Sequence, residues 1–547
     1  MTVPCRLRNS AQRALLARLL VLAFLLPIAA VSQPPSLIVL IVAEQFRGDY
    51  LDLYRPQFGE GGFERMLTQG AVYRRSRYDH LTTLASPNAA TLATGAYPQI
   101  HGIVADRWFD ADSRRTIGSA DEGAVQQGGD ASGISPRFLK GSTFADELRM
   151  ATSGGSRVVA ISDRPGPAVM LAGRSPLGCY WMSGDGHFET SAYYRNALPA
   201  WVEEFNAAHG AAQYKDEAWT ALRAPGPLVP LRILHAPDPL ALEGFHRLYH
   251  ASPFAAADAF AFAQQALEAE RLGQGTYTDL LIINLSAPAL LGLETGAHSP
   301  LMRDLVLRLD QMLGAFLSEL DSRFPNGESA VVFTAAHGLP LLAEDARALG
   351  LPAGRVSGAT VVAAMNQALA EKFGPEIFVE KYVYPFAYLG REARQRSGEA
   401  RNAIIEEAGK AARRLAGVAG FYSPWTDDVA PAVRERLRRS WHEPRSGDFM
   451  LLYEPYFVED YGEDRGTAPG SLYRYDTDVP LIFLGQHFKA ARFEAVVDAA
   501  SVASTLSALA GVPAPSSATG SALAEALAAP DRAEAPSAKP AVASSAR

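Results

Sequence analysis

Five short runs of β-favouring, almost wholly apolar residues constrain this chain more than any other feature: Leu37–Val42, Val158–Ile161, Leu280–Leu285, Ala330–Phe333 and Pro480–Leu484. A strand with one wet face alternates apolar and polar residues, so a run without alternation is buried on both faces. Burial on both faces requires helices above and below the sheet, and helical segments do separate the runs. From Arg303 to Asp321, Leu305, Leu309, Met312, Phe316 and Leu320 form one stripe, with Arg303, Asp304, Arg308 and Glu319 off it. Strands alternating with helices predict an α/β fold: a doubly wound, mostly parallel sheet sandwiched by helices. The stretches near 185–275 and 345–470 carry more aromatics and turn residues and read as cap-like insertions.

Sheets of this kind bind ligands at the carboxyl ends of their strands. That directs attention to Glu44, to Ser162–Arg164, to Pro288–Gly292 and to Ala336-His337-Gly338, each of which follows one of the runs.

The amino terminus reads as a secretory signal over residues 1–32. Arg6, Arg8, Arg13 and Arg18 precede the apolar run Leu19–Ala30, and Ala30-Val31-Ser32 offers small residues for cleavage. The run is too short to span a bilayer, which takes about 20 apolar residues. Its removal takes four arginines and no acids, so formal net charge moves from -8 to about -12. Such an acidic protein is a poor partner for nucleic acid or anionic membrane surfaces. Cys5 leaves with the signal, so Cys179 has no intramolecular partner and reads as a small buried hydrophobe. These features predict a periplasmic or secreted protein with no membrane span after signal removal. The Ala/Pro/Ser-rich residues 528–547 read as a disordered tail.

One stretch carries the functional question: Ala85-Ser86-Pro87-Asn88-Ala89-Ala90-Thr91-Leu92-Ala93-Thr94-Gly95, with His101-Gly102-Ile103 beyond it. Pro87 followed by Asn88-Ala89-Ala90 predicts a helix start, with Asn88 or Ser86 as its cap. A helix amino terminus attracts anions through its free N–H groups and its dipole.

Several ungapped blocks, in order, extend this signal along the chain. They are Ile41-Val42-Ala43-Glu44-Gln45-Phe46-Arg47-Gly48-Asp49-Tyr50, Gly61-Gly62-Phe63, the loop just described, Tyr193-Tyr194 with Pro199-Ala200-Trp201-Val202, Phe333-Thr334-Ala335-Ala336-His337-Gly338, and Tyr475-Asp476-Thr477-Asp478-Val479-Pro480. On these blocks the chain, from about Pro35 to Leu523, resembles the alkaline phosphatase superfamily. The branch is that of the phosphate-irrepressible alkaline phosphatases and type I phosphodiesterases/nucleotide pyrophosphatases.

The resemblance implies two zinc ions, six Asp/His ligands and a threonine or serine nucleophile; paired metals about 3.5–4 Å apart stabilise the attacking and leaving oxygens. In this sequence the nucleophile position falls on Ala85, so no catalytic nucleophile is expected there. The ligand positions fall on Glu44, Pro288, Gly292, Ala336, His337 and Asp478. Only His337 is unchanged; Glu44 and Asp478 keep an oxygen donor, and the other three offer no side-chain ligand. Structural zinc takes four ligands and catalytic zinc about three, so neither remnant reaches a working count. Of the implied phosphate contacts, the asparagine falls on Asp106 and the Lys-x-Arg pair on Ser162-Asp163-Arg164, where Arg164 alone keeps its charge. An ionised carboxylate about 4 Å from a phosphate is repelled by about 4 kcal/mol at an effective dielectric near 20.

Each survivor also has a structural reading. His337 reads as a packed, hydrogen-bonded histidine, Glu44 as a strand-end acid paired to an arginine, and Asp478 as a turn or capping residue. Thr82, Thr83 and Ser86 are nearby hydroxyls, and using one as a nucleophile needs a shifted register. Two functions follow. The leading one is a pseudophosphatase with no cofactor, kept to bind a phosphate-containing small molecule or an envelope protein. The alternative is a divergent phosphomonoesterase or phosphodiesterase with one zinc on Glu44, His337 and Asp478.

Overall fold

The computed structural model describes residues 33–120, 133–223, 230–235, 242–443, 445–462 and 466–528. The predicted signal sequence and, from residue 529 on, the predicted tail lie outside them. Pro34–Leu527 form one contact unit.

Among the described residues ten strands make the central sheet: β1 (Leu37–Ala43), β2 (Ala71–Arg77), β3 (Val158–Ser162), β4 (Gly178–Met182), β5 (Phe188–Glu189), β6 (Asp279–Leu285), β7 (Ser329–Ala335), β8 (Asp478–Leu484), β9 (Ala491–Phe493) and β10 (Val497–Asp498). Their order is β9-β2-β8-β7-β1-β6-β3-β4-β5, with β10 beside β2. The pairs β7-β1, β1-β6, β6-β3 and β3-β4 are parallel. β8 runs antiparallel to both β7 and β2, and the edge strand β5 antiparallel to β4. All seven residues of β1 are buried, as an unalternating run between two parallel neighbours requires. The sheet is thus mostly parallel and flanked by helices.

Four helices matter for the site: α1 (Ala85–Thr94), α2 (Pro165–Ala172), α3 (Ala287–Thr295) and α4 (Pro300–Arg323). α4 turns Leu305, Leu309, Phe316 and Leu320 into the core, on the predicted stripe. Cys179 is fully buried in β4, and burial pushes its thiol pKa up. No helix among the described residues is long and apolar enough to cross a membrane.

Residues 354–460 add a second layer of structure. Strands Val379–Val383, Phe386–Leu389, Phe449–Tyr453 and Val418–Tyr422 form an antiparallel sheet. Helices Gly358–Phe373 and Gly398–Arg413 pack on it around a core of their own. Between β4 and β6 lie helices Ala200–Ala208, Leu242–His250 and Pro253–Ala269.

Register positions the site. Ala43 on β1 pairs with Leu285 on β6 and Ala335 on β7, while Asn284 on β6 pairs with Ser162 on β3. The residues that follow these ends therefore emerge at one edge of the sheet: Glu44, Asp163-Arg164, Ser286 and Ala336-His337.

Candidate functional site

Glu44 follows β1 and is fully buried. Its carboxylate is saturated by the protein itself. Arg164 donates a short hydrogen bond to Oε2, while Asn284 Nδ2 and Ser286 Oγ donate to Oε1 at 2.8 and 2.7 Å. Asn284 also donates to Ser162 Oγ at 3.0 Å, which ties β6 to β3 beneath the pair. Burial alone works to lower the Arg164 pKa, but the negative charges of Glu44 and Asp106 outweigh it and raise it. The arginine assigned by resemblance to a phosphate thus has its charge committed to a carboxylate. The strand-end reading of Glu44 matches this arrangement.

Next to Arg164, Asp163 caps α3. Its Oδ2 accepts the backbone N–H groups of Ser286 and Ala287 at 2.5 and 3.1 Å, and its Oδ1 is buried without a hydrogen-bond partner. Burial pushes this carboxyl up to about 7; the two N–H groups act against the shift and the nearby Glu44 charge adds to it.

The helix that carries the nucleophile position assigned by resemblance starts two residues earlier than Pro87, where the sequence suggests it. Ala85 is the first residue of α1, and the cap position is Leu84, with no side-chain cap. Asn88 and Ser86, the expected caps, both lie inside the helix, because tertiary partners claim them. Asn88 Nδ2 donates a short bond to the Ala336 carbonyl, binding α1 to the end of β7. The backbone N–H of Ser86 donates to Asp106 Oδ1 at 2.7 Å. Ala85, Ser86, Asp106, Ser119, Arg164 and Gly166 line one cleft of about 410 Å³. Thr82 and Thr83 face elsewhere: Thr83 Oγ1 donates to the Ser471 carbonyl at 3.0 Å, and Thr82 Oγ1 lies 3.4 Å from His80 Nδ1.

The remaining positions that the resemblance assigns to metal ligands are closed. Pro288 sits buried in the first turn of α3. A Cβ at Gly292 would lie 2.6 Å from Gln45 Oε1, 2.7 Å from Leu339 Cδ2 and 3.2 Å from Met302 Cε, so the volume a histidine would need is filled. Gln45 itself holds a left-handed backbone, φ 57, directly after Glu44. Ala336 is fully buried. His337 Nδ1 is 2.9 Å from the Gly338 carbonyl, and burial pushes the imidazole pKa down. A carbonyl only accepts, so Nδ1 carries the proton of that bond.

Asp478 stands at the C-cap position of the short helix Arg474–Thr477, is also the first residue of β8, and lies directly opposite Arg77 on β2. Arg77 Nε and a terminal nitrogen grip its two oxygens at 2.6 and 2.9 Å. The trio Glu44, His337 and Asp478 does not converge on an ion: both carboxylates are held by arginines. Among the described residues no three His, Cys, Asp or Glu side chains are placed to hold one metal. The residues present do not fit the family's two zinc ions.

Asn284 and Ser286 complete the cluster, and the residue pattern did not single them out for it; Asp163 lies within the strand-end segment Ser162–Arg164, but the pattern gives it no role. A lone asparagine inside an apolar run was the available signal, since a buried amide needs a partner.

Comparisons with known proteins agree with this architecture. The type I phosphodiesterase / nucleotide pyrophosphatase family profile matches residues 38–471. The chain is 28% identical over 523 residues to alkaline phosphatase PafA of Elizabethkingia meningoseptica, covering 90% of this chain and 94% of that one. It is also 28% identical over 498 residues to alkaline phosphatase PhoK of a Sphingomonas species, covering 83% and 85%. The crystal structure of wild-type PafA superposes with a TM-score of 0.79 at 25% identity, over 91% of this chain and all of that one. Matched in sequence over most of its length and in fold over nearly all of it, the chain belongs to the type I phosphodiesterase / nucleotide pyrophosphatase family of the alkaline phosphatase superfamily.

Proposed function

We propose that this protein is an exported pseudophosphatase: a phosphatase fold that has given up two-metal hydrolysis and is kept for binding. The observation that carries the reading is the Arg164 guanidinium on Glu44. A metal site needs its first-strand carboxylate free to donate to a cation, and here a permanent cation from the chain already takes that role. The packing at Gly292 supports the same reading, because the space for a ligand side chain is filled by Leu339 and Met302. Export to the periplasm or beyond rests on residues 1–32. Of the two partner classes, a protein of the cell envelope fits better than a phosphate compound, since Glu44 and Asp106 already offset the positive charge of Arg164.

The test is metal analysis of the purified mature protein together with turnover of an aryl phosphate and an aryl phosphodiester. Zinc well below one ion per chain and no turnover are expected. Stoichiometric zinc with chelator-sensitive turnover would overturn the reading.

A further inference from the structure

The cleft beside α1 holds an anion, and the anion belongs to the protein. Ser86 is in the first turn of a ten-residue helix, where backbone N–H groups have no intrahelical acceptor. Its N–H goes to Asp106 Oδ1 at 2.7 Å. Arg164 lines the same cleft, and Asp106 acts on it by charge attraction. Arg164 also keeps a donor in reserve: its Nε is buried and has no hydrogen-bond partner. A helix N–H with no intrahelical acceptor, a guanidinium with an unused donor and a roomy cleft make a seat for a tetrahedral oxyanion. What occupies the helix N–H is a carboxylate from the loop before residue 107.

We propose that Asp106 is a built-in ligand that fills an inorganic-phosphate-class anion site formed by the Ser86 backbone and Arg164. In this arrangement the wild-type protein excludes phosphate by occupancy as well as by repulsion. An external dianion would have to displace the Asp106 carboxylate from Ser86 and then share Arg164 with both Asp106 and Glu44. The competition is intramolecular, so the resident carboxylate acts at a high effective concentration. This deepens the pseudophosphatase reading and rests on it, since it describes what became of the anion seat after the metals were lost.

The experiment titrates inorganic phosphate into wild-type protein, Asp106→Ala and Asp106→Ala/Arg164→Ala, by calorimetry and by phosphate-dependent shift of Tm. Asp106→Ala should bind phosphate saturably and at least tenfold more tightly than wild type, with a Tm that rises with phosphate. The double variant should lose that gain. Asp106→Asn, which removes the charge and supplies an amide that can itself donate to phosphate, should also bind phosphate more tightly than wild type and serves if the alanine variant does not fold. A folded Asp106→Ala that binds no better than wild type overturns the proposal, as does a gain that survives removal of Arg164. Saturable sub-millimolar binding by the wild type would overturn it as well. Zinc content measured on the same samples keeps the two readings apart: zinc decides the pseudophosphatase, phosphate affinity decides the role of Asp106.

Discussion

Arg164 donates its guanidinium to the fully buried carboxylate of Glu44, joining the end of β3 to the end of β1 across β6. A buried carboxylate needs compensation, and Asn284 and Ser286 supply only part of it. Arg164→Ala should therefore cost stability by about 2–3 kcal/mol, at the low side for a broken buried pair because the arginine side chain is 34% exposed. Adding Glu44→Gln should recover more than half of that loss, since no uncompensated charge is then left behind. Urea denaturation of both single variants and the double variant checks it. Additive losses would show that the pair does not stabilise the strand ends.

Gly292 reports on whether the metal position could be rebuilt. A Cβ there would lie 2.6 Å from Gln45 Oε1, 2.7 Å from Leu339 Cδ2 and 3.2 Å from Met302 Cε, so the ends of these buried side chains must shift to admit it. Gly292→Ala should destabilise by about 1–3 kcal/mol through overpacking, even though alanine is the better helix former. A Tm equal to or above wild type would mean that this corner of the site is looser than it looks.

Asp163 sets a pH dependence whose sign is fixed. Its carboxyl titrates at about 7 in the fold, against about 3.9 in an unfolded chain. Between those values the folded protein holds a proton that the unfolded chain has released. The contribution of Asp163 to stability therefore falls as pH rises from about 4 to about 7 and is fully lost above that. Asp163→Asn keeps an acceptor for Ser286 and Ala287 and cannot ionise. The unfolding free energy of the variant minus that of wild type should climb across this window and level off near pH 8. Taking the difference cancels buried histidines such as His337, whose lowered pKa acts in the opposite direction below about pH 6.5. A flat difference would show that Asp163 is ionised throughout.

The strands were legible because each is buried on two faces and so lacks alternation. All five runs are strands of the central sheet; the residues after the ends of the four parallel ones gather at one edge, and the antiparallel β8 contributes its first residue there instead. β2 escaped notice because three arginines interrupt Ala71–Arg77; its apolar half packs in the core while Arg77 serves Asp478. β4 was passed over for a similar reason, since Cys179, Tyr180 and Trp181 do not read as a plain aliphatic run. At the site, Ala85, Pro288, Gly292 and Ala336 are assigned by the resemblance, and their residue types alone say that they offer no nucleophile and no side-chain ligand. What fills the space around them could not be read that way. The partners of Glu44 come from residues 120 and about 240 positions away, and the shift of Ser86 and Asn88 into α1 follows from contacts to Asp106 and Ala336 that no local pattern encodes.

Asp478 gives the last test, because it separates a lost ligand from a residue with a new task. It faces Arg77 across the antiparallel β8-β2 pair, and both its oxygens are engaged. Asp478→Asn should cost about 1 kcal/mol, the scale of a cross-strand charge pair that is only partly buried. Asp478→His, which would restore the family's ligand type, should cost more. It leaves Arg77 unpaired and sets a second cation beside it as the imidazole protonates below about pH 6.5. The Tm gap between the two variants should thus widen as pH falls from 8 to 5.5, and added zinc should not close it. A Tm for Asp478→His that rises with zinc would mean that the histidine finds metal partners, and that the site is closer to repair than Arg77, Leu339 and Met302 allow.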